Sequence, residues 1–315
     1  LREGKFISKN RLKWERYRHL PTEEPDEMAA RFIDIVDDLS YSKTYYPGSR
    51  TAAYLNEEAA GIYLDIFARK KETRSRISWF WLEELPRVIR RHHPVLLFTF
   101  LCFMLFIAMS VFSSWQDTSY IRGILGDGYV DMTESNISAG DPFGVYKEGN
   151  SLTMFLFIAY NNVTVMLKMV LWGLFLGLGT LYLLFINATM VGAFQTMFFQ
   201  KGLGWDSVLC IWLHGTLEIS AMIIGSMAGF VIGLSVLFPG TLSRKQSFII
   251  GAKDAIKIGI GILPIIILAA FIEGYITRYA GMPVPLALFI LVASAALIGW
   301  YYIVFPIQKA KNLAD

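Results

Sequence analysis

Two regimes of hydrophobic patterning divide the chain. Over residues 1–93 apolar residues recur at helical spacing among many charges, and beyond Pro94 they form long, nearly unbroken runs. In the first regime, Arg2–His19 carries Phe6, Ile7, Leu12, Trp14 and Tyr17, a loose helical stripe on a basic background. Asp26–Tyr45 repeats Met28, Phe32, Ile35, Val36 and Leu39 at i, i+3/i+4 spacing. Pro47-Gly48-Ser49 reads as a turn followed by an N-cap, and Ser49–Ala68 continues with Ala53, Leu55, Ala60, Tyr63, Leu64 and Phe67. Pro21–Pro25 reads as a linker. The pattern predicts a small helical domain, cytoplasmic on the charge argument below.

The second regime is of a different kind. Apolar runs near 94–115, 152–172, 178–199, 207–238, 257–276 and 284–305 each reach the roughly 18 residues at which a run reads as a membrane span. The predicted class is all-α, a polytopic membrane protein of about six transmembrane helices (residues 94–306) with a short tail, 307–315. The stretch 152–199 is long enough to cross twice, with Gly173, Gly177 and Gly179 as the turn and Lys168 snorkelling to the inner face. A re-entrant or strongly tilted variant of it would leave five segments. Composition agrees: 54% of residues are hydrophobic, 17% are charged and the mean hydropathy is +0.45.

Charge supplies the orientation. Between residues 69 and 93 eight basic residues (Arg69, Lys70, Lys71, Arg74, Arg76, Arg87, Arg90, Arg91) and three acidic ones surround Ile77-Ser78-Trp79-Phe80-Trp81-Leu82. Basic residues beside an aromatic apolar face predict a helix lying in the membrane interface. The loop 116–150 carries only Arg122 and Lys147, so the positive-inside rule places the N-terminus in the cytoplasm and this loop outside. Rich in Gly and Asp, the loop is expected to be partly irregular. Arg244, Lys245, Lys253 and Lys257 make 239–257 cytoplasmic, and Lys309 and Lys311 place the C-terminus there too. The first twenty residues are densely charged, so no cleavable signal is expected in them. A net charge of +3 gives no case for nucleic acid. Cys102 and Cys210 sit in or beside apolar runs and predict neither a disulfide framework nor a zinc site.

Polar residues inside the apolar runs are the candidate chemistry, because each is expensive there without a partner or a purpose. Asn161 and Asn162 fall near the middle of the second span and Asn187 near the middle of the third. His214 and Glu218 lie one turn apart in the fourth span, on one face, and Glu273 lies near the outer end of the fifth. Gln195 and Lys168 flank the set. The six residues Asn161, Asn162, Asn187, His214, Glu218 and Glu273 read either as a polar core joining helices or as a proton, ion or substrate site. Gly225, Gly229 and Gly233 recur every fourth residue, with Gly251, Gly259 and Gly261 in the next segment, and predict close helix packing. These faces also permit a homodimer. His214-Gly215-Thr216-Leu217-Glu218 does not match the paired-His motif of zinc proteases, and no hydrolase elbow, P-loop or dinucleotide fingerprint is present. No catalytic residue, cofactor or metal is therefore expected, and the chain is expected not to be an enzyme.

The order of these motifs resembles a known family. Asn161-Asn162, then Gly177-Leu178-Gly179-Thr180, then Asn187 with Gly192, is similar to the stage II sporulation protein M family. His214-Gly215 with Glu218, the small-residue run ending Ala228-Gly229, and Ala269-Ala270-Phe271-Ile272-Glu273-Gly274 extend the likeness over about residues 95–305. Glu3, Phe6, Ile7, Asn10 and Trp14, with Tyr54-Leu55-Asn56, look like the longer, non-sporulating members. The resemblance implies a non-enzymatic bacterial inner-membrane protein. It would be a scaffold or anchor for an envelope or peptidoglycan-remodelling complex, with envelope proteins and the lipid bilayer as partners. A transporter or channel using the midplane polar cluster is the alternative.

Overall fold

The computed structural model describes residues 2–20, 22, 24–144, 150–277 and 282–311, except 69–74. Arg69, Lys70, Lys71 and Arg74 of the basic stretch, Pro21 and Glu23 of the linker, and Lys147 and Glu148 of the loop lie outside the described residues. The chain divides into two compact units, Leu1–Arg76 and Ile77–Asp315.

The first unit is three helices, α1 (Glu3–His19), α2 (Pro25–Tyr45) and α3 (Arg50–Ala68). Gly48, at φ +76°, turns the chain, and the Ser49 hydroxyl accepts from the Ala52 amide at 3.1 Å to cap α3. Phe6, Trp14, Ile35, Leu39, Leu55 and Ala59 form the core. Burying a side chain such as Ile35 or Leu55 contributes about 1.5–3 kcal/mol. The Trp14 indole donates to Asp38 at 2.7 Å, and Lys13 closes on the same carboxylate at 2.6 Å.

The second unit opens on the stretch read as an interfacial helix. Helix α4 (Arg76–Trp79) widens into a π turn over Phe80–Glu84 and continues as α5 (Leu85–Arg91). An amphipathic helix in the interface would offer its apolar face to lipid. Ile77, Trp79 and Leu82 are exposed, whereas Leu85, Val88 and Ile89 further along are buried in the main core of the unit. Polar contacts hold the segment there: the Tyr301 hydroxyl donates to Trp81 O at 2.8 Å, Lys257 pairs with Glu84 at 2.7 Å and Lys309 pairs with Glu83. The hydrogen bond from Lys309 holds the Glu83 carboxyl below its usual range.

Among the described residues six helices are long and apolar enough to cross a membrane: His93–Gln116, Ser151–Leu174, Leu178–Gln200, Gly204–Leu237, Arg244–Thr277 and Val284–Lys311. No strand occurs among the described residues. The α-helical parts of these six are α6 (His93–Gln116), α9 (Ser151–Leu171), α10 (Leu178–Gln200), α11 (Gly204–Leu237), α12 (Arg244–Phe271) and α13 (Val284–Gly299), with α14 (Phe305–Lys311) ending the last. The central helix is α11, which touches α6, α9, α10, α12 and α13. Helix α12 starts at Arg244, earlier than the apolar run implied, because Ser243 and Gln246 form a capping box ahead of it.

The loop 116–150 is partly helical. It holds α7 (Thr118–Leu125) and α8 (Asp127–Ser138), with Asp117 capping the first through Ser119 and Gly126, at φ +85°, turning the chain between them. Ile121, Val130 and Phe143 pack on Met197, Phe198 and Ile211, so the hairpin is part of the folded core. Around it Arg122 meets Asp131 at 2.7 Å, and Lys201 meets Glu134 at 2.6 Å.

The α9–α10 connection sets the geometry of the site. A short 3-10 turn, Trp172–Leu174, ends α9, and Gly177, at φ +82°, reverses the chain. The Thr180 hydroxyl donates to Met169 O at 2.8 Å and satisfies a carbonyl left over at the helix end. The glycine stripe of α11 seats this turn. A Cβ on Gly233 would lie 2.3 Å from Gly177 N, and one on Gly229 would lie 2.3 Å from Met169 O. The stripe is used within the chain, letting backbones approach where a side chain would hold them apart.

Candidate intramembrane site

All six polar residues singled out in the sequence line one cavity of about 420 Å³. It lies against α11, between α9 and α10. Asn161 and Asn162 come from α9, Asn187 and Gln195 from α10, and His214 and Glu218 from α11. Ile124, Leu125 and Tyr129 of the α7–α8 hairpin line it as well. The α10 side is braced by a chain of hydrogen bonds. Gln195 donates to Ser207 at 2.7 Å and accepts from the Trp212 indole at 2.8 Å. Lys168, expected near the surface, is exposed in the last turn of α9.

Glu273 reaches the cavity because of a local irregularity. Helix α12, with Pro264 inside it, gives way to a π turn over Ile272–Thr277 that carries both Glu273 and Thr277. A π turn inserts a residue and re-aims those that follow, which is why such turns recur at functional sites.

The pairing within the cluster differs from the one the spacing predicted. His214 and Glu218 do share a face of α11, but each has a nearer partner elsewhere. His214, almost wholly buried, has Nδ1 3.0 Å from the Thr277 hydroxyl and Nε2 3.9 Å from Glu273 Oε2. Glu218 accepts a hydrogen bond from the Asn162 side chain, and Asn161 donates to Asn162 at 3.3 Å. One ligand atom each of His214, Glu218 and Glu273 lies within 4.8 Å of the other two. Asn187 lines the cavity but turns its amide to Leu183 O at 2.8 Å. Thr277 belongs to the site, and sequence reasoning passed over it. It lies past the Glu273 motif, and nothing in its spacing marks it.

Among the described residues no lysine or arginine pairs with Glu218 or Glu273. Two carboxyl groups this close, in an apolar bundle, require protons or a bound cation to offset them. The arrangement can therefore hold a proton, an ion or a polar solute, with amide groups at hand to complete its hydrogen bonding.

No solved structure matches. An uncharacterized protein of Methanocaldococcus jannaschii, MJ0793, is 32% identical over 123 residues, which is 38% of this chain and 68% of that one. A family described as a domain of unknown function (DUF8413) matches residues 4–68, the three-helix unit. The family described as Stage II sporulation protein M matches residues 99–278, which span α6 through the π turn that bears Glu273. The chain, a multi-pass membrane protein in outline, belongs to the stage II sporulation protein M family.

Proposed function

We propose that the bundle binds a small polar solute or a cation in this cavity and carries it across the membrane, with Glu218, His214 and Glu273 as the binding groups. The observation behind the proposal is the convergence of Asn161, Asn162, Asn187, Gln195, His214, Glu218 and Glu273 on one cavity among membrane-length helices. Helix-to-helix hydrogen bonds in membranes contribute only about 0.6–2 kcal/mol each, so a layer kept solely as glue has no need of two carboxyls or of an open volume. The distribution of basic residues supports both termini facing the cytoplasm, and the family supports the bacterial inner membrane as the location. Six crossings would put the two ends on one side. No catalytic step is assigned to the site.

Proteoliposomes holding the full chain test the proposal. With dyes reporting protons, Na⁺, K⁺ and divalent cations in turn, flux of one of them should exceed that of empty vesicles, and Glu218→Gln should lower it at least tenfold. Flux indistinguishable from empty vesicles for every ion, or unaffected by Glu218→Gln, would remove the transport reading.

A second reading is a scaffold for an envelope or peptidoglycan-remodelling complex. Two elements the cavity does not need support it: the separate three-helix unit and the outward-read hairpin with its Arg122 ion pairs. Capture of the full chain in mild detergent should then return the same envelope proteins repeatedly, and a chain starting at residue 75 should lose some of them. Recovery of the chain alone would count against docking.

A further inference from the structure

We propose that His214, Glu218 and Glu273 form a binding site for one divalent first-row transition-metal ion, of which Zn²⁺ is the working probe. This assignment rests on the cavity reading above and specifies the class of cation it takes. The gap between His214 and Glu273 leaves room for an ion. His214 Nε2 and Glu273 Oε2 are 3.9 Å apart, too far for a hydrogen bond and just under twice the ~2.1 Å of a Zn–N or Zn–O bond. The ligand atoms of all three residues fall within 4.8 Å of one another, so that a small inward shift of the side chains would bring all of them onto a single ion.

The neighbours of the three residues support the same assignment. A metal-bound histidine is oriented by a hydrogen bond to its other nitrogen, and a metal-bound carboxylate by a donor on its free oxygen. Thr277 Oγ1 stands 3.0 Å from His214 Nδ1, on the far side of the ring from Glu273. Asn162 donates to Glu218 Oε1 and so orients that carboxylate. Thr277 and Glu273 ride on the same π turn, so one irregularity supplies both a ligand and a positioning residue.

The donor set narrows the metal. One imidazole and two carboxylates suit Zn²⁺, Mn²⁺ or Fe²⁺, while an all-oxygen cage would suit Mg²⁺ or Ca²⁺ and a thiolate set would suit Cu⁺. Three protein ligands lining a cavity leave a further coordination position for a small ligand.

The test uses the full chain in mild detergent, stripped with chelator. Zn²⁺ is titrated alone, with Mg²⁺ in parallel, and bound metal is measured after dialysis. One Zn²⁺ per chain should bind that Mg²⁺ does not displace, and Glu218→Gln and Glu273→Gln should each weaken it at least 100-fold. Thr277→Val, which touches no ligand atom of the ion, should weaken it 10–100-fold by freeing the imidazole. Co²⁺ in place of Zn²⁺ should give visible d–d bands that the Gln variants lose. Metal-free thermal unfolding of each variant separates lost ligation from lost fold. Zn²⁺ binding that the variants leave unchanged, or wild type without Co²⁺ bands, overturns the site. Should the metal assignment fail while a proton or monovalent flux survives and Glu218→Gln removes it, the cavity reading stands alone. Zn²⁺ bound with no flux of any ion keeps the site and removes transport.

Discussion

Gly229→Ala is expected to lower the thermal stability of the bundle, and Gly229→Leu to prevent recovery of folded protein from detergent extracts. A Cβ at Gly229 would lie 2.3 Å from Met169 O and 2.4 Å from Thr180 Oγ1. The first of these is a backbone atom that no rotamer change can move, and Thr180 is bound to that same carbonyl. On the opposite side of the contact, a Cβ on Gly173 would come within 2.1 Å of Gly229 O. Two magnitudes compete. Alanine gains about 1 kcal/mol of helix propensity over glycine, and overpacking a tight contact costs about 1–3 kcal/mol or more. The clash wins because the neighbours are main chain. Gly259→Ala is the internal control. Its Cβ would meet only Met166 Sδ, at 3.8 Å, so the propensity term acts unopposed and stability should hold or rise. Thermal unfolding of both variants in one detergent decides the matter, and Gly229→Ala at or above wild type would show that the α9–α10 turn can move away from α11.

The same comparison shows which features could be read in advance. Spans were legible because lipid demands long apolar runs, and the polar layer was legible because polar side chains are rare within them. Partners inside that layer were not. Helical spacing pairs His214 with Glu218, whereas the contact with Glu273 joins two helices and depends on a π turn that no period in the sequence announces. A basic, aromatic helix has one pattern whether its apolar face meets lipid or another helix. Further along, Leu85 of α5 packs directly on Gly261 of α12, where a Cβ would lie 2.5 Å from Leu85 Cδ2. The α7–α8 hairpin could have been read from Asp117 with Ser119 and from Gly126 before Asp127, a cap and a turn hidden in a stretch that composition alone made look irregular.

Removing both donors that hold α5 to α12 should destabilise the bundle by more than removing the carboxylate between them. Asp254 is 4% exposed and accepts from Arg91 at 2.9 Å and from His92 at 3.0 Å. It lies on α12 three residues from Lys257, which pairs with Glu84, so two polar contacts join the same pair of segments. The asymmetry follows from where each group can go. Arg91 is 60% exposed at its side chain and returns to water if Asp254 is lost, while Asp254, enclosed by the bundle, cannot. Stripping the partners from a buried charge costs about 3–5 kcal/mol, but replacing a whole buried pair by groups of similar volume is often close to neutral. Arg91→Ala with His92→Ala should therefore lose about 3–5 kcal/mol. Adding Asp254→Asn to that double variant should recover part of the loss, because the unpaired charge is gone. Unfolding of wild type, Asp254→Asn, the double variant and the triple variant forms a cycle that isolates the term, since residues in direct contact do not act additively. A double variant as stable as wild type, or a triple variant weaker than the double, would mean that Leu85, Val88 and Ile89 hold α5 in place by packing alone.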